Sequence, residues 1–264
     1  MATKFMPTVT LQKLGTAELL FRSAEKMGLY PTWITPNNMF AVSVDGQERY
    51  VNFARSPLNS HANASLARDK YFTRRILERH QLPNIPFIVP KSHDEAADFL
   101  SRYGKIIAKP VRGSGARDIH IVTSVTQLES LRISRYILEQ YITGQEWRYL
   151  TLNGEVIGVH RSEYGTSVAA DRALQRISYP TTVWDPKLVS LAIKVSQVLG
   201  LQFAAVDYLI DDLGQAYVLE VNTTPGLKWF HAPTTGPIVD VASQFLQAAF
   251  KTPDHTTLTL EAVS

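Results

Sequence analysis

The chain has 264 residues, 45% of them hydrophobic, so it can fill the core of one large domain or two smaller ones. Because it contains no cysteine, disulfides, thiolate zinc sites and thiol nucleophiles are excluded, and the lack of a signal-peptide-like or bilayer-length apolar run predicts a cytoplasmic protein with no membrane partner. The formal net charge of +3 is spread along the chain, which suits an enzyme acting on small anions and does not require nucleic acid.

The first predicted elements belong to a short N-terminal α/β unit over residues 1–60. Apolar residues recur on one helical face over residues 16–28, and Thr16 is the predicted N-cap. Strand-like residues on either side of an Asp-Gly turn predict a hairpin over residues 40–53. The polar, turn-rich segment 56–65 then predicts a boundary, after which a new unit begins.

A larger domain over residues 61–250 is predicted to begin with helices. One helix is expected from residue 66 to about residue 80. Another is expected over residues 93–103, where a Ser-x-x-Glu capping box opens it and a glycine closes it. Two short strands joined by a glycine-rich loop follow over residues 106–122, IIAKPVRGSGARDIHIV.

The glycine-rich loop matches neither a Walker A sequence nor a dinucleotide-binding fingerprint, because Gly-Ser-Gly at residues 113–115 is followed by Ala-Arg-Asp. Its glycines would allow backbone N–H groups to approach an anion closely, with Lys109 on the preceding strand and Arg112 and Arg117 at the tip. This arrangement suits a polyphosphate. An ordinary glycine turn with solvated arginines is an equally good interpretation of the loop alone.

The second half of the domain predicts further hairpins and helices. In chain order these are a short helix over residues 126–132, a strand over 135–142, a hairpin over 146–161 turned by Asn-Gly, a helix over 186–199, a hairpin over 203–222, and a helix from after Pro237 to about 250. Residues 251–264 are expected to form a frayed tail. Antiparallel hairpins alternating with helices indicate an α+β architecture.

The hairpin over residues 203–222 carries the most informative polar residues of the sequence. Asp207 lies on its first strand, while Glu220 and Asn222 lie on its second and, being two residues apart, share a face of the sheet. Oxygen ligands of this kind are those that Mg²⁺ accepts beside waters and nucleotide phosphates. Acidic residues on a sheet ordinarily belong to a solvated face, but the apolar flanks of Glu220 make an unpaired carboxylate costly there. The pattern predicts a nucleotide-bound metal.

The order of these motifs resembles that of the ATP-grasp ligases over about residues 60–250. The matching segments are ARDKYFTRRIL, IIAKPVRGSGARDI, ILEQYITGQEWR and AAVDYLIDDLGQAYVLEVNTTPGL. The peptide EVNTTPGLKWFHAP is similar to the metal and substrate loop of cyanophycin synthetase and D-alanine:D-alanine ligase, and NFARSPLNSHANASLARDKYFTRRIL resembles the opening of the ATP-grasp module in bifunctional glutathione synthetases. The resemblance implies an ATP-grasp fold, in which a glycine-loop subdomain (about 66–138) and a metal and substrate subdomain (about 139–250) grip ATP.

The resemblance also implies roles for individual residues. Those implied to bind the nucleotide are Lys70, Lys109, Gly113, Ser114, Gly115, Glu139, Gln140, Tyr141, Ile142 and Glu146. The two lysines and the glycine loop would hold the phosphates, backbone groups of residues 139–142 would read the adenine edge, and Glu146 would hold the ribose hydroxyls. Arg148 and Arg161 match arginines near the reacting carboxylate of the family and are the candidate catalytic residues.

Several of these residues also have plain structural interpretations. Lys70 would otherwise be a helix-surface lysine, residues 138–142 an edge strand, and Arg148 and Arg161 a solvated pair of the Asn-Gly hairpin. Because the family uses no protein nucleophile, the histidines need not be catalytic. Three of them are expected in the core or at the surface, namely His120, His160 and His231.

The activity implied by the resemblance is ATP-dependent, ADP-forming amide or peptide bond formation through an acylphosphate. Mg²⁺ is the expected metal, with Mn²⁺ as an alternative, the expected partners are small-molecule or peptide substrates, and a homodimer is compatible with the sequence. The substrate identities stay open, because residues 162–180 match no substrate loop of the family. A nucleotide-binding regulatory module without ligase activity is the alternative function, and a nucleic-acid binder has only the basic pI in its favour.

Overall fold

The computed structural model describes residues 14–55, 57–113, 118–164 and 175–250, which form three antiparallel sheets with helices packed against them. The helices are α1 (Thr16–Lys26), α2 (His61–Ala67), α3 (Lys70–Arg79), α4 (His93–Tyr103), α5 (Val125–Glu129), α6 (Pro186–Val198), α7 (Lys228–His231) and α8 (Val241–Phe250). The strands are β1 (Thr32–Thr35), β2 (Met39–Val44), β3 (Gln47–Asn52), β4 (Phe87–Ile88), β5 (Ile106–Pro110), β6 (His120–Val122), β7 (Tyr136–Gln140), β8 (Gln145–Leu152), β9 (Glu155–Glu163), β10 (Gln175–Ser178), β11 (Phe203–Ile210) and β12 (Ala216–Asn222). The predicted α+β class is confirmed.

The N-terminal unit consists of α1 and the sheet β1-β2-β3. The sequence predicts its helix and hairpin but misses β1, a four-residue strand whose side chains are mostly exposed. The predicted N-cap is wrong, because Gly15 occupies that position and the Thr16 hydroxyl instead accepts a hydrogen bond from the backbone N–H of Leu227 at 3.3 Å. Thr16 therefore ties the N-terminal helix to the loop after β12.

The small sheet has the order β4-β7-β5-β6, and the glycine-rich loop connects β5 to β6. Helices α4 and α5 pack against it around Phe99, Leu128 and Leu138. Helix α4 has its predicted boundaries: the Ser92 hydroxyl accepts the first capping hydrogen bond, and Gly104 ends the helix at φ +69°. Turn and cap residues therefore fix this part of the fold locally.

The helix predicted as one element over residues 66–80 is two helices, α2 and α3. The carboxylate of Asp69 caps α3 by accepting the backbone N–H of Phe72 at 3.0 Å. The side chain that would sit inside a continuous helix thus starts a new one instead, in line with the preference of aspartate for caps. The break places Lys70 at the first position of α3.

The large sheet has the order β10-β9-β8-β11-β12. One face packs on α6 in a core that includes Tyr208 and Val195. The other face is apolar at one end, where Phe203 packs with the N-terminal unit and α8 in a continuous core that includes Phe40 and Phe245. The opposite end of that face is polar and carries the candidate site.

The predicted domain boundaries correspond only in part to the sheets and cores. The boundary near residue 60 falls just before α2, but the hydrophobic core continues across it. The divide after residue 138 would cut β7, whose partners β4 and β5 belong to the small sheet, so we propose a divide at residues 141–144 instead. No helix within the described ranges is long and apolar enough to cross a membrane. The predicted tail, 251–264, lies outside the described residues.

Candidate active site

A row of polar side chains crosses the large sheet, one from each strand. From β12 to β10 its members are Glu220, Asp207, Arg148, His160 and Ser178. Residues paired directly across antiparallel strands project from the same face, and Asn222, two residues after Glu220, shares that face. The three predicted metal ligands therefore lie together on one side of the sheet.

Two β-bulges decide which side chains project from this face. Between β11 and β12 the register shifts next to Asp207, so that Leu219 is the extra residue and Glu220 stands opposite Asp207. Between β8 and β9 the register shifts near the Asn-Gly turn, with Ile157 as the extra residue, which brings His160 into the row. A one-residue shift exchanges the two faces of a strand, so a regular register would turn these side chains away.

Arg161 lies on the opposite face of the sheet from Arg148. It pairs across the sheet with Trp147, forms an ion pair with Glu163, and places its guanidinium carbon 5.7 Å from the centroid of the Trp147 ring. The expectation that both arginines lie near one reacting carboxylate holds for a regular two-residue hairpin and fails here because of the bulge. The structure does not bring Arg161 to the row, and its predicted role stays a prediction.

Arg148 and Asp207 form a bidentate ion pair, in which both N–O distances are 2.6 Å. Asp207 is 1% exposed. Burial alone would lower the pKa of Arg148, but the facing carboxylate outweighs it and raises that pKa. The residue predicted to act at the reacting carboxylate is thus the counterion of a residue predicted to bind the metal.

A cavity of about 440 Å³ lies between the glycine-rich loop and the β11–β12 hairpin, which carries the predicted metal ligands. Its lining includes Glu220, Asn222, Lys70 and Gly113. The amide oxygen of Asn222 accepts the backbone N–H of Thr224 at 2.9 Å and keeps a further lone pair. In the described part of the chain no group of three or more histidine or carboxylate side chains could hold a metal ion. The predicted metal set therefore depends on an asparagine oxygen as well as two carboxylates.

The Glu220 side chain keeps contact with solvent in this cavity, although protein groups crowd around it. The loss of hydration raises the pKa of Glu220 above its ordinary value, and the charge of Asp207 raises it further. Three cations act in the opposite direction, namely Arg148, Lys109 and Lys70. The raised pKa indicates that these cations do not fully offset the loss of hydration and the charge of Asp207.

Lys70 is attached to the base of the glycine-rich loop. Its backbone N–H donates to the Val111 carbonyl at 2.9 Å, and its ammonium donates to the Gly113 carbonyl at 3.1 Å. Beside it, Asp69 forms a 3.1 Å ion pair with Arg112. Burial lowers the pKa of Lys70. The other two loop residues predicted to contact phosphate lie outside the described residues; they are Ser114 and Gly115.

Glu139 is fully buried and holds two cations. Its carboxylate accepts hydrogen bonds from Lys109 and from Arg74, both at 2.7 Å. Burial acts to raise the pKa of Glu139, but the two cations outweigh it and lower that pKa to about 2. Arg74 also donates to the Leu219 carbonyl at 2.8 Å and so joins the small sheet to β12. Sequence reasoning missed Arg74, although it lies inside the matching segment ARDKYFTRRIL.

The predicted adenine hinge, residues 139–142, begins with the last two residues of β7 and continues beyond it. The backbone N–H groups of Gln140 and Tyr141 donate to the carbonyls of Pro86 and Lys105 at 2.9 and 3.1 Å. Within the described ranges the N–H of Ile142 has no backbone acceptor. Of these three amides, that of Ile142 is therefore left as a donor for a ligand, while the side chain of the first hinge residue is used in the buried ion pair.

Arg176 on β10 belongs to the polar face and was missed by sequence reasoning. Strand pairing places it opposite Ser162, which in turn lies opposite Glu146. Glu146, predicted to hold the ribose, accepts a hydrogen bond from the Tyr164 hydroxyl. Arg176 falls within residues 162–180, the segment that matches no substrate loop of the family, so no motif marked it.

The three histidines occupy different environments. His231 accepts the backbone N–H of Ala242 at 3.1 Å, and burial lowers its pKa. His120 contacts Asp118 at 2.8 Å at the edge of the small sheet. His160 is buried within the row, and burial holds its pKa well below the ordinary value. The first two have evident structural contacts, whereas His160 adjoins the site.

These sheets and the cleft between them define an ATP-grasp protein. A family model of the RimK-like ATP-grasp domain matches residues 67–248. The chain belongs to this family, and the resemblance seen in the sequence is confirmed.

Proteins with a similar sequence include two ligases. The alpha-aminoadipate–LysW ligase LysX of Saccharolobus solfataricus is 24% identical over 186 residues, which cover 65% of this chain and 66% of that protein. The ribosomal protein bS6–L-glutamate ligase of Salmonella paratyphi B is 28% identical over 204 residues, which cover 72% of this chain and 66% of that protein. The chain thus matches somewhat less than two thirds of the length of these relatives.

Solved structures share the fold. The ATP-grasp ligase PsnB complexed with minimal precursor superposes with a TM-score of 0.62 at 20% identity, covering 74% of this chain and 64% of that one. A bifunctional glutathione synthetase from Pasteurella multocida superposes with a TM-score of 0.66 at 14% identity, covering 91% of this chain and 45% of that one. The predicted ATP-grasp fold is confirmed.

Proposed function

We propose that this chain is an ATP-dependent, ADP-forming carboxylate–amine ligase that makes an amide or peptide bond with an amino acid or a peptide as substrate. The observation that carries the proposal is the cavity in which Glu220 and Asn222 face Lys70 and Gly113. A polyphosphate with a divalent cation would suit both walls, because one offers cations and backbone groups and the other offers oxygen ligands. The two relatives, an aminoadipate–LysW ligase and a bS6–glutamate ligase by name, support the same reaction class.

In this proposal the ATP phosphates lie between the glycine-rich loop and β12. Lys70 and Lys109 supply positive charge, and the backbone of residues 113–115 closes over the phosphates. The backbone N–H of Ile142 reads the adenine edge, and Glu146 accepts hydrogen bonds from the ribose hydroxyls. Each of these groups lies in one of the segments whose sequence resembles the ATP-grasp ligases.

Asp207, Glu220 and Asn222 are the proposed holders of Mg²⁺, for which Mn²⁺ can substitute. Their hard oxygen atoms suit either ion. The raised pKa of Glu220 supports this assignment, because a divalent cation stabilises the charged form of two adjacent carboxylates. When bound, the ion would neutralise charge on the transferring phosphate.

The proposed reaction has two steps. A carboxylate oxygen of the first substrate attacks the γ-phosphorus of ATP, the bond from that phosphorus to the bridging oxygen breaks, and ADP leaves. The nitrogen of an amine then attacks the acyl carbon, inorganic phosphate leaves, and the nitrogen loses a proton to solvent. The lysines and the closed loop position the phosphates and exclude water, which would otherwise hydrolyse the acylphosphate.

ADP release tests this function. Mg²⁺-ATP is supplied with each of the twenty amino acids or a set of short peptides as the carboxylate, and with an amino acid or hydroxylamine as the amine. Hydroxylamine converts an acylphosphate into a stable hydroxamate. We expect ADP release to depend on both a carboxylate and an amine, and Glu220→Gln to abolish it.

The matched control is Glu155→Gln, which removes an exposed carboxylate at the turn end of β9 and should leave turnover unchanged. Nucleotide binding without ADP release for any pair would instead favour the regulatory module. Equal ADP release by Glu220→Gln and the wild type would remove Glu220 from the proposed metal set.

A further inference from the structure

Arg176 is a cation of the polar face whose charge is not matched by an ion pair in the described part of the chain. Arg148 is paired with Asp207, and Arg161, on the other face, is paired with Glu163. Strand pairing places Arg176 on the same face of the sheet as the row, two residues before Ser178, and the charges that act on its guanidinium include those of Glu146, Arg148 and Asp207. It is therefore available for an anion that approaches this face.

The surroundings of Arg176 hold it in a fixed position. Its backbone N–H donates to the Thr234 hydroxyl at 3.0 Å, and its carbonyl accepts the Thr234 N–H at 2.8 Å. The guanidinium carbon lies 5.6 Å from the ring centroid of Trp229 and 6.0 Å from that of Tyr164. A cation fixed in this way loses less freedom when a ligand binds than a mobile surface arginine does.

Two neutral polar side chains lie next to Arg176 with unused hydrogen-bonding groups. Both ring nitrogens of His160 and the hydroxyl of Ser178 are buried and have no hydrogen-bond partner among the described residues. Burial, together with the charges of Arg148 and Arg176, keeps the pKa of His160 well below its ordinary value. The ring is therefore neutral and offers one donor and one acceptor. Buried groups of this kind destabilise a protein unless they are satisfied, which a bound polar group would do.

We propose that Arg176, His160 and Ser178 form the subsite that binds the carboxylate of the first substrate, an inference that rests on the ligase function proposed above. A guanidinium binds a carboxylate through two parallel hydrogen bonds, and the two neutral groups add hydrogen bonds without a competing charge. The subsite lies at the β10 end of the row and the predicted metal ligands at the β12 end. A carboxylate held there would lie on the same face of the sheet as the proposed metal ligands.

Nucleotide binding is the competing role for Arg176, because the guanidinium also interacts electrostatically with Glu146, the proposed ribose contact. The two roles differ in which ligand loses affinity when Arg176 is replaced. The variants Arg176→Gln and Arg176→Lys are therefore compared in hydroxamate formation from the carboxylate panel and in calorimetric titration with AMPPNP. Circular dichroism checks that both variants fold.

We expect Arg176→Gln to raise the KM for the carboxylate by about 10- to 100-fold, the usual effect of one hydrogen bond to a charged group, and to change the AMPPNP dissociation constant less than about twofold. Arg176→Lys keeps the charge and should lose less. Ser178→Ala should raise the same KM by a smaller factor. Arg102→Gln, at an exposed arginine in the last turn of α4, is the matched control and should change neither quantity.

Two results overturn the subsite. One is an unchanged carboxylate KM in Arg176→Gln, most directly if Arg161→Gln raises that KM instead. The other is a loss of AMPPNP affinity as large as the rise in KM. A wild-type protein that forms no hydroxamate from any carboxylate overturns the ligase function itself, so that failure is distinct from failure of the subsite alone.

Discussion

Glu139 determines how two buried cations are held beside the proposed nucleotide site. Lys109 and Arg74 both contact its carboxylate. Replacing it with glutamine leaves both cations without their anion, and we expect Glu139→Gln to lower the unfolding free energy by roughly 3 to 5 kcal/mol. Denaturant unfolding at neutral pH measures this change. The control is Glu78→Gln, which removes an exposed partner of Arg75 and should cost at most about 1 kcal/mol.

The same carboxylate predicts a dependence of stability on pH. The pKa of Glu139 is about 2 in the folded protein, below the ordinary value of 4.5. Because the folded-state pKa is the lower one, ionised Glu139 stabilises the fold above pH 4.5, and this contribution is lost as pH falls toward about 2. The stability difference between wild type and Glu139→Gln should therefore shrink over that interval. A constant difference across the interval would contradict the assignment.

The ionised side chain of Glu220 has the opposite effect on stability to that of Glu139. Its raised pKa means that its ionised form is disfavoured in the folded chain, so its charge lowers stability at neutral pH when no cation is bound. We expect Glu220→Gln to unfold at a higher temperature than wild type in EDTA. In Mg²⁺ and ADP the wild type should gain stability and the variant should gain less. Equal gains in both proteins, measured by thermal denaturation, would show that Glu220 does not contribute to metal binding.

The sequence could predict some of these residues and not others. Glu220 and Asn222 are two residues apart on one strand, so their common face follows from the period of a strand alone. Arg74 and Arg176 act through contacts with other elements, and nothing in their immediate neighbours fixes which way they face. Local spacing therefore predicts that Glu220 and Asn222 share a face, whereas tertiary contacts decide which arginines lie beside them.

At the scale of elements, the sequence predicts a tight turn more readily than the register of the strands beside it. The Asn153-Gly154 turn is correctly predicted, and both residues have positive φ, at 49° and 84°. The bulge a few residues away leaves no comparable composition signal, since its extra residue is an ordinary isoleucine. For this reason Arg148 and Arg161, the two candidate catalytic residues, lie on opposite faces of the sheet. The sequence also misses β10, because this strand has only four residues and no tight turn joins it to its partner β9.

The position of β10 depends on a close approach at Gly236. A methyl group there would lie 1.9 Å from the carbonyl oxygen of Ser178, and the residue has φ +95°. We expect Gly236→Ala to displace β10, to lower the unfolding temperature, and to raise the KM for the carboxylate because Arg176 moves with the strand. Thermal denaturation and hydroxamate kinetics measure these effects.

Gly28→Ala is the matched control for backbone strain. Gly28 also has positive φ, +72°, but a methyl group there meets nothing within 4 Å. It should cost about 1 to 2 kcal/mol from the left-handed conformation alone and leave carboxylate kinetics unchanged. If both variants show the same loss of stability and neither changes the KM, the close approach of Gly236 to Ser178 does not affect carboxylate binding.

At the scale of the whole molecule, one hydrophobic core joins the N-terminal unit to the large sheet. Phe40 is fully buried in it together with Phe203 and Phe245. We expect Phe40→Ala to lower the unfolding free energy by roughly 3 to 5 kcal/mol while the protein still unfolds in one transition. Calorimetry compares this variant with Tyr50→Ala, an exposed residue of the same unit. A separate low-temperature transition would show that residues 1–60 form an independent domain.

Because of the two bulges, the number of residues in a strand, and not only their identity, decides which side chains face this site. Deleting Ile157 alone would restore a regular hairpin and exchange the directions of His160 and Arg161, although no functional side chain would have been replaced. Gain or loss of one residue is thus a route by which a ligase of this family can change the chemistry of a whole sheet face in one event. Substitution scans cannot detect such a change, and libraries of single-residue insertions and deletions in β8, β9, β11 and β12 are the appropriate way to map it.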